Sequence, residues 1–212
     1  MSLNLYLLRH GETQSSASGG FCGSIDPDLT PEGHLMAEDF AKAYGSHAFK
    51  SVFVSPMQRA RHTANPLCKS LGLEMQLRPG LCEVSFGEWE GKTTDEVKRE
   101  FAHDFLRWTN DAGWNRPTGG ERGIDVARRA LSVLDEIQAC QHDGDVLIVS
   151  HKATIRILIC ALLGIDIGGY RDRIGIPVCS LSIIQFNDHG PRLDRLGDRS
   201  HLRPELVARV GT

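Results

Sequence analysis

Two short apolar runs, each ending beside a histidine, constrain the fold of this chain more than any other feature. Residues 5–8 lead into Arg9, His10 and a glycine, and residues 146–149 lead through a serine into His151. An apolar run of this length that stops abruptly is typical of a buried strand in a parallel sheet. Because ligands bind beyond the carboxyl ends of such strands, both histidines are expected at a ligand-binding sheet edge.

The rest of the chain alternates strand-like and helix-like segments. This alternation predicts an α/β fold, a three-layer α/β/α sandwich with a mostly parallel central sheet. We expect a single domain over residues 1–212, with residues 81–118 as a cap-like insertion and a polar tail from about residue 197. Residues 14–28, rich in Ser, Gly and Asp, are predicted to be a long loop. The predicted strands cover residues 5–8, 51–54, 72–77, 145–151, 177–186 and 192–196.

Four predicted helices begin at capping signals. Thr30 precedes a proline and a glutamate, and Ser55, Thr93 and Thr118 each stand three residues before Gln or Glu, the spacing of a capping box. With Ser55 as the N-cap, Arg59 lies in the first helical turn, where a cation opposes the helix dipole at a cost of up to about 1 kcal/mol. A bound anion would offset this cost, so Arg59 is a candidate anion ligand.

Composition and charge argue against several classes of function. The net charge of -3 leaves no electrostatic footprint for a nucleic acid or an anionic membrane surface. The longest apolar run, residues 155–163, is interrupted by Arg156 and is too short to span a membrane. No export signal is expected at the N-terminus, and six cysteines without metal-ligand spacing predict reduced thiols and a cytoplasmic protein.

The chemistry-bearing side chains are two guanidinium groups and two imidazoles. We expect Arg9, His10, Arg59 and His151 to meet at one sheet edge. Guanidinium groups match phosphate oxygens bidentately and remain charged, whereas an imidazole pair supplies a nucleophile and a further donor. The sequence therefore predicts a pocket for chemistry on a phosphoryl group.

Four ordered motifs resemble those of the histidine phosphatase superfamily, the phosphoglycerate-mutase-like proteins. They are Arg9-His10-Gly11-Glu12-Thr13, residues 55–64, residues 83–91 and Ser150-His151. Residues 29–33 and 119–121 fit the same pattern, and the resemblance spans residues 5 to about 186. Within the superfamily, residues 81–93 are most similar to the small broad-specificity and α-ribazole-phosphate phosphatases.

The resemblance implies a metal-independent phosphomonoesterase that needs no cofactor. His10 would attack phosphorus to form a phosphohistidine, while Arg9, Arg59 and a protonated His151 would hold the phosphoryl oxygens. Hydrolysis of a small phosphate ester is the expected reaction. A cofactor-dependent phosphoglycerate mutase and a non-catalytic phospho-ligand binding protein are the alternatives.

Glu83 is implied as the acid that protonates the leaving group and then accepts a proton from water. Its choice over Glu88 and Glu90 rests on the position in the family motif. The other histidines show no metal-ligand pattern, so no metal site is expected; they are His34, His47, His62, His103, His142, His189 and His201.

Two residues depart from the family pattern. Ser16 stands where an Asn commonly contacts the phosphate, and serine reaches less far. Lys152 follows the second histidine in place of a small residue, and it would either point to solvent or contact a second anionic group of the substrate. Cys22, in the loop, is a further candidate substrate contact. The natural substrate cannot be read from the sequence, and a homodimer is left open.

Overall fold

The structure, a computed structural model, describes residues 2–209 and 211, which contain one six-stranded sheet. Its strands are β1 (Leu3–Arg9), β2 (Phe49–Val54), β3 (Met75–Leu77), β4 (Gly144–Ser150), β5 (Leu181–Asn187) and β6 (Gly190–Asp198). They lie side by side in the order β3-β2-β4-β1-β5-β6. The first four strands of that order pair in parallel, and β5 and β6 are antiparallel to their neighbours. The sheet is therefore mostly parallel, as predicted.

Helices cover both faces of this sheet. Within the described residues they are α1 (Gln14–Ser18), α2 (Pro31–Tyr44), α3 (Gln58–Leu71), α4 (Thr94–Glu100), α5 (Ala102–Asn110), α6 (Gly123–Cys140), α7 (Lys152–Leu163), α8 (Tyr170–Arg173) and α9 (Pro204–Val207). Short 3-10 turns occur at Pro79–Leu81, Gly87–Trp89 and Ile167–Gly169.

The buried apolar residues form one cluster on each face of the sheet. Strand β1 shows the reason, because successive side chains of a strand point to opposite faces. Leu5 and Leu7 pack with α6 and α7, whereas Leu8 packs with α2 and α3. Burial of apolar surface on both faces, worth about 25 cal/mol per Å², stabilises all three layers. The predicted three-layer sandwich is confirmed.

Two of the predicted helix caps are present. The hydroxyl of Thr30 accepts a hydrogen bond from the backbone N–H of Gly33 at 3.0 Å, and Pro31 begins α2. Thr93 and Glu96 form the predicted capping box at the start of α4. The helix that begins at this cap ends at Glu100, because Phe101 leaves the helical conformation between α4 and α5.

The predicted caps at Ser55 and Thr118 are wrong. Helix α3 begins after Met57 and α6 begins after Arg122, both without a side-chain cap hydrogen bond. The Ser55 hydroxyl lies 2.7 Å from Nε2 of His151, and the Thr118 hydroxyl donates to a carboxylate on α5. Each hydroxyl therefore contacts a side chain elsewhere in the protein, and neither caps the helix that it was expected to start.

The segment predicted as a loop over residues 14–28 begins with the short helix α1. Thr13 and Ser16 form a capping box there, because each hydroxyl accepts a hydrogen bond from the backbone N–H of the other residue. Ser16 is 7% exposed. The remainder of the segment lies beside the sheet edge that carries His10, and it supplies part of the cavity wall described below.

The chain from residue 197, for which the sequence predicts only a polar tail, packs back onto the sheet. Leu202 and Leu206 are 6% and 2% exposed and join the α2–α3 side of the core. Arg209 then forms an ion pair with the buried carboxylate of Glu12, with atoms 2.7 Å apart. Among residues 197–209 and 211, Leu202 and Leu206 are the buried apolar side chains, and most of the others are polar.

Two further observations concern the chain as a whole. None of the helices in the described ranges has the length and apolar character needed to cross a membrane. All six cysteines are free thiols: Cys22, Cys68, Cys82, Cys140, Cys160 and Cys179.

Candidate active site

The neighbouring parallel strands β1 and β4 bring the two predicted histidines together. Arg9 is the register partner of Ser150, and the His10 backbone N–H donates to the Ser150 carbonyl at 3.0 Å. The next residue on each strand is therefore a histidine, and the ring centroids of His10 and His151 are 5.2 Å apart. The strand-end argument from the sequence places this pair correctly.

His10 is oriented by its own backbone neighbour. Its Nδ1 atom lies 2.7 Å from the carbonyl oxygen of Gly11, so Nδ1 carries the hydrogen and Nε2 is left with a free lone pair. Burial, followed by the charges of Arg59 and Arg9, holds the pKa of His10 well below its usual range. The neutral imidazole is thus the stable form at neutral pH, and Nε2 is available as a nucleophile.

His151 is fully buried and is neutral in this arrangement. Arg59 donates from Nε to the Nδ1 atom of His151 at 3.2 Å, and guanidinium has no acceptor to offer in return. Nε2 of His151 must therefore carry the hydrogen, which it donates to the Ser55 hydroxyl at 2.7 Å. Burial, with Arg59 next in effect, holds the pKa of His151 well below its usual range. This arrangement favours a neutral His151, whereas the family resemblance implies a protonated one.

Arg59 is 2% exposed and is held by the loop over residues 23–26. Its Nη1 donates to the Ile25 carbonyl at 2.9 Å and to Asp26 at 3.1 Å, and its Nη2 donates to the Gly23 carbonyl at 3.0 Å. These contacts fix the orientation of the guanidinium group. An anion that binds Arg59 must share the group with this loop.

Arg9 follows the end of the hydrophobic part of β1 and is 3% exposed. Its Nη1 donates to the Ile176 carbonyl at 2.7 Å. The same loop contacts the strand end through Cys179, whose N–H donates to the His10 carbonyl and whose φ of 50° is unusual for a residue other than glycine. Burial lowers the pKa of Arg9 to about 9, which leaves the side chain charged at neutral pH.

Glu83 is the acidic residue of the predicted motif that faces the site. Its carboxylate accepts the backbone N–H groups of Ala153 at 3.1 Å and Thr154 at 3.2 Å, both in the first turn of α7. Glu88 is exposed, and Glu90 accepts backbone N–H groups from the loop over residues 23–25. The geometry therefore favours Glu83 over the two alternatives that the sequence left open.

The backbone that carries Glu83 is held by Arg129 of α6, a residue that sequence reasoning missed. Arg129 donates to the carbonyls of Gly80, Cys82 and Glu83 at 2.7 to 3.0 Å. The same guanidinium group also donates from Nε and Nη2 to the two carboxylate oxygens of Glu121, each at 3.0 Å. Glu121 was predicted to complete a helix cap; instead it orients the arginine that positions Glu83.

These residues surround a cavity of about 650 Å³. Seven of the predicted site residues lie on its wall, namely Arg9, His10, Ser16, Cys22, Arg59, Glu83 and Lys152. His151 is not among the described residues on the wall, since it lies behind Arg59 and beside His10. The wall also contains residues that the sequence did not suggest, including Phe21, Phe86, Trp108, Arg156, Tyr170 and Arg171. They are brought together by tertiary contacts, and no local pattern marks them.

Ser16 and Cys22 reach the cavity with their polar groups already engaged. The Ser16 hydroxyl donates to the Thr13 carbonyl at 3.0 Å, and the Cys22 thiol lies 3.3 Å from the Ile25 carbonyl. Burial raises the pKa of the Cys22 thiol, so it remains protonated at neutral pH.

One group among residues 2–209 and 211 could hold a metal ion, and it lies outside the cavity. Asp28, His34 and His62 each offer a ligand atom within 4.8 Å of the others. Nδ1 of His62 lies 2.5 Å from the Asp28 carboxylate. The sequence showed no metal-ligand pattern at His34 and His62, because the three residues come from separate segments.

The arrangement as a whole combines an unprotonated imidazole nitrogen, two buried guanidinium groups and a carboxyl group around one cavity. Nucleophile, charge stabilisation and proton donor are the parts that phosphoryl transfer requires. Fold and site together are those of an α/β enzyme suited to phosphoryl transfer.

Comparison with known proteins gives the family. The model of the histidine phosphatase superfamily (branch 1) matches residues 5–199, and the chain belongs to this superfamily. Phosphoserine phosphatase 1 of Hydrogenobacter thermophilus is 28% identical over 94% of both chains. The adenosylcobalamin/alpha-ribazole phosphatase of Escherichia coli is 32% identical over 76% of this chain and 80% of its own length.

Solved structures agree with the sequence relatives. Mycobacterial glucosyl-3-phosphoglycerate phosphatase superposes with a TM-score of 0.86 at 26% identity, over 94% of this chain and 100% of that one. Its complex with inorganic phosphate matches with a TM-score of 0.83 at 27% identity, over 94% and 99% of the two chains. The chain is a phosphatase of the histidine type, the resemblance to the α-ribazole phosphatases is confirmed, and the mutase alternative is not favoured.

Proposed function

We propose that this phosphatase hydrolyses small phosphorylated metabolites without a metal ion, through a phosphohistidine formed on His10. The single observation that carries the proposal is the free lone pair on Nε2 of His10, which the Nδ1 contact with Gly11 leaves facing two buried arginines. The relatives named as phosphatases support the reaction class. Arg9 and Arg59 supply the positive charge that a divalent ion brings to other phosphoryl-transfer sites.

In the first step, Nε2 of His10 forms a bond to phosphorus as the bond to the ester oxygen breaks. Arg9 and Arg59 hold the equatorial oxygens, where negative charge accumulates. Glu83, in its protonated form, gives its proton to the departing oxygen, which leaves as an alcohol. Arg59 must exchange part of its contact with the loop over residues 23–26 for contact with the phosphoryl group.

In the second step, water attacks the phosphohistidine and Glu83 accepts a proton from it. The bond between Nε2 and phosphorus breaks, and His10 returns to its neutral form with inorganic phosphate released. His151 supports both steps by holding Nε of Arg59. The direct phosphate donor that the resemblance implies would be a protonated His151, whose Nδ1 would first have to release Nε of Arg59.

The remaining predicted substrate contacts would surround the phosphoryl group and the part of the substrate attached to it. Lys152, Cys22 and Ser16 lie on the cavity wall. Ser16 would have to release the Thr13 carbonyl before it could donate to phosphate. We further propose that the single domain uses residues 81–118 as a cap over the cavity, since Phe86 and Trp108 of this segment line it.

Six free thiols are the state that a reducing compartment maintains, and this supports the proposal that the enzyme acts in the cytoplasm. The proposed partner is a small phosphate ester alone. Sedimentation would determine whether the homodimer that the sequence left open forms.

The test is phosphate release from p-nitrophenyl phosphate. Steady turnover is expected, unaffected by a chelator, and His10→Ala should lower kcat by about a thousandfold or more. His103→Ala, which alters a largely exposed histidine, is the matched control and should retain activity. If no phosphate ester is turned over, the chain is a binding protein and the proposal is wrong.

A further inference from the structure

Three basic side chains line the cavity without a part in the steps above. Lys152 and Arg156 belong to α7, and Arg171 belongs to α8. Lys152 and Arg156 are four residues apart on one helix, so their side chains share a face. Like charges at this spacing destabilise a helix, and a reason for keeping them is therefore to be found in the cavity.

The charges of these three residues are not neutralised within the described part of the chain. Neither Lys152 nor Arg156 forms an ion pair there, and Nε of Arg156 is buried without a hydrogen-bond acceptor. The Arg171 guanidinium stacks on Trp108, with 3.8 Å between its central carbon and the ring centroid. Stacking fixes the position of this cation but leaves its charge in place.

Burial and mutual repulsion both act against the charged forms of this group. Burial, followed by the charges of Arg9 and Arg156, lowers the pKa of Lys152 to about 8. Burial also lowers the pKa of Arg156 and of Arg171. Tyr170, followed by Glu83 and Asp172, opposes the lowering of the Arg156 pKa without cancelling it. An anion bound between these side chains would remove the repulsion.

The contacts of Glu83 show which part of the substrate this group faces. Its carboxylate accepts the backbone N–H groups of Ala153 and Thr154, the two residues that follow Lys152 in α7. Glu83 and Lys152 also line the same cavity as the nucleophile. Because Glu83 is proposed to protonate the leaving group, the leaving group would lie beside these cations.

We propose that Lys152, Arg156 and Arg171 form a second anion subsite, so that the substrate is a phosphomonoester whose leaving group carries its own carboxylate or phosphate. The proposal rests on the proposed phosphatase function and names the substrate class for that site. The shared chemistry of the two groups is a set of anionic oxygens able to accept several N–H donors at once.

The size and composition of the cavity agree with such a substrate. A volume of about 650 Å³ exceeds what a phosphoryl group alone fills. Phe21, Phe86 and Trp108 provide an apolar wall for the body of the molecule. The leaving group is then held at one end by Arg171 and its neighbours, and at the other by Glu83.

Matched substrate pairs test the subsite. The molecules 3-phosphoglycerate and glycerol 3-phosphate differ only in a carboxylate against a hydroxymethyl group, and fructose 1,6-bisphosphate and fructose 6-phosphate differ in a second phosphate. The wild-type enzyme should prefer the acidic member of at least one pair by about tenfold or more in kcat/KM, the range expected for charged hydrogen bonds. The preferred pair identifies carboxylate or phosphate as the group recognised.

Variants then assign the preference to these side chains. Arg156→Met should reduce the acidic-to-neutral ratio of kcat/KM by about tenfold, mainly through KM, and Lys152→Met provides a second variant if the first folds poorly. Arg173→Met removes an exposed cation from the same helix as Arg171, and it should leave the ratio unchanged. Thermal unfolding of each variant verifies that it is folded.

The outcomes separate this proposal from the proposed function. Turnover of p-nitrophenyl phosphate together with equal kcat/KM for both members of both pairs would overturn the subsite and leave the phosphatase intact. The subsite would likewise be overturned if Arg156→Met and Lys152→Met lowered activity on acidic and neutral esters equally. Absence of turnover on every ester would overturn the proposed function itself.

Discussion

The Nδ1 atom of His10 lies 2.7 Å from the carbonyl oxygen of Gly11, and this contact decides which ring nitrogen can react. Position 11 has no room for a side chain, because a Cβ atom there would lie 2.6 Å from the Gly33 carbonyl oxygen. The Gly11 N–H is also held, by the Thr63 hydroxyl at 2.9 Å. The carbonyl that orients the imidazole is therefore rigid, and Nε2 is the ring nitrogen left without a proton.

This geometry predicts an unusual pH dependence for phosphoenzyme formation. His10 reacts in its neutral form, and a lowered pKa means that this form persists as the pH falls below 6.5. An ordinary histidine would be about 10% neutral at pH 5.5, with a rate about tenfold lower than its plateau. Formation measured by rapid quench should instead keep its plateau below pH 6.5, with its acid limb well below that value. An acid limb centred at 6.5 would contradict the role of a buried, neutral His10.

Glu83→Gln tests whether Glu83 donates a proton, because the effect of this substitution should depend on the leaving group. We expect kcat/KM, which reports formation of the phosphohistidine, to fall by about a hundredfold or more on an alkyl phosphate, whose alkoxide must be protonated. The fall in kcat/KM on p-nitrophenyl phosphate should be much smaller, since nitrophenolate leaves without a proton. Glu88→Gln, at an exposed carboxylate five residues away, serves as the control and should behave as wild type. Equal losses of kcat/KM on both substrates would show that Glu83 is not the acid.

Arg129 is predicted to be a positioning residue for Glu83. Arg129→Met removes its hydrogen bonds to the Gly80, Cys82 and Glu83 carbonyls, so the carboxyl group should lose its fixed place. We expect kcat/KM on alkyl phosphates to fall about tenfold to a hundredfold, with less change in kcat/KM on p-nitrophenyl phosphate. Arg128→Met, at the adjacent and 78% exposed arginine, should have no such effect. A merely destabilised protein would lose both activities in proportion.

Arg209 should stabilise the fold through Glu12. Its Nε and Nη2 atoms contact the two Glu12 oxygens at 2.9 and 2.7 Å, and the contact with Arg209 is the main cause that holds the pKa of Glu12 below its usual range. Arg209→Met should therefore lower the free energy of unfolding at pH 7, because it leaves the buried Glu12 carboxylate without its arginine partner. Because the folded-state pKa is the lower one, the difference should vanish as the pH falls through it and Glu12 becomes protonated.

Denaturant titrations at pH 7 and pH 3 would measure this change. Arg192→Met is the control, since its ion pair with Asp194 is more than half exposed on both sides and should contribute less than about 1 kcal/mol. A loss for Arg209→Met no larger than for Arg192→Met would show that the tail contributes little to stability.

The catalytic strand ends could be predicted from the sequence because their causes are local. A run of apolar residues forms a buried strand wherever it lies, and parallel strands share a carboxyl edge, so His10 and His151 had to be neighbours once β1 and β4 paired. Arg59 followed from its place near the start of α3.

The site features that could not be predicted from the sequence depend on contacts between residues distant in the chain. Ser55 has the pattern of a helix cap, but its hydroxyl forms a hydrogen bond with His151, 96 residues away. Arg129 and Arg156 look like ordinary surface arginines of amphipathic helices, and only the packing of α6 and α7 turns one toward Glu83 and the other into the cavity. The neutral state of His151 likewise depends on the Nε atom of Arg59, which no spacing in the sequence reveals.

The most direct test of the proposed mechanism is the identification of the phosphorylated atom. The enzyme would be mixed with a rapidly hydrolysed ester, quenched in base to preserve phosphohistidine, and analysed by peptide mass spectrometry and ³¹P NMR. The expected result is one phosphoryl group on His10, attached at Nε2 and absent from His10→Ala. Phosphate on His151 or on any other residue, attachment at Nδ1 of His10, or turnover that persists in His10→Ala would contradict it.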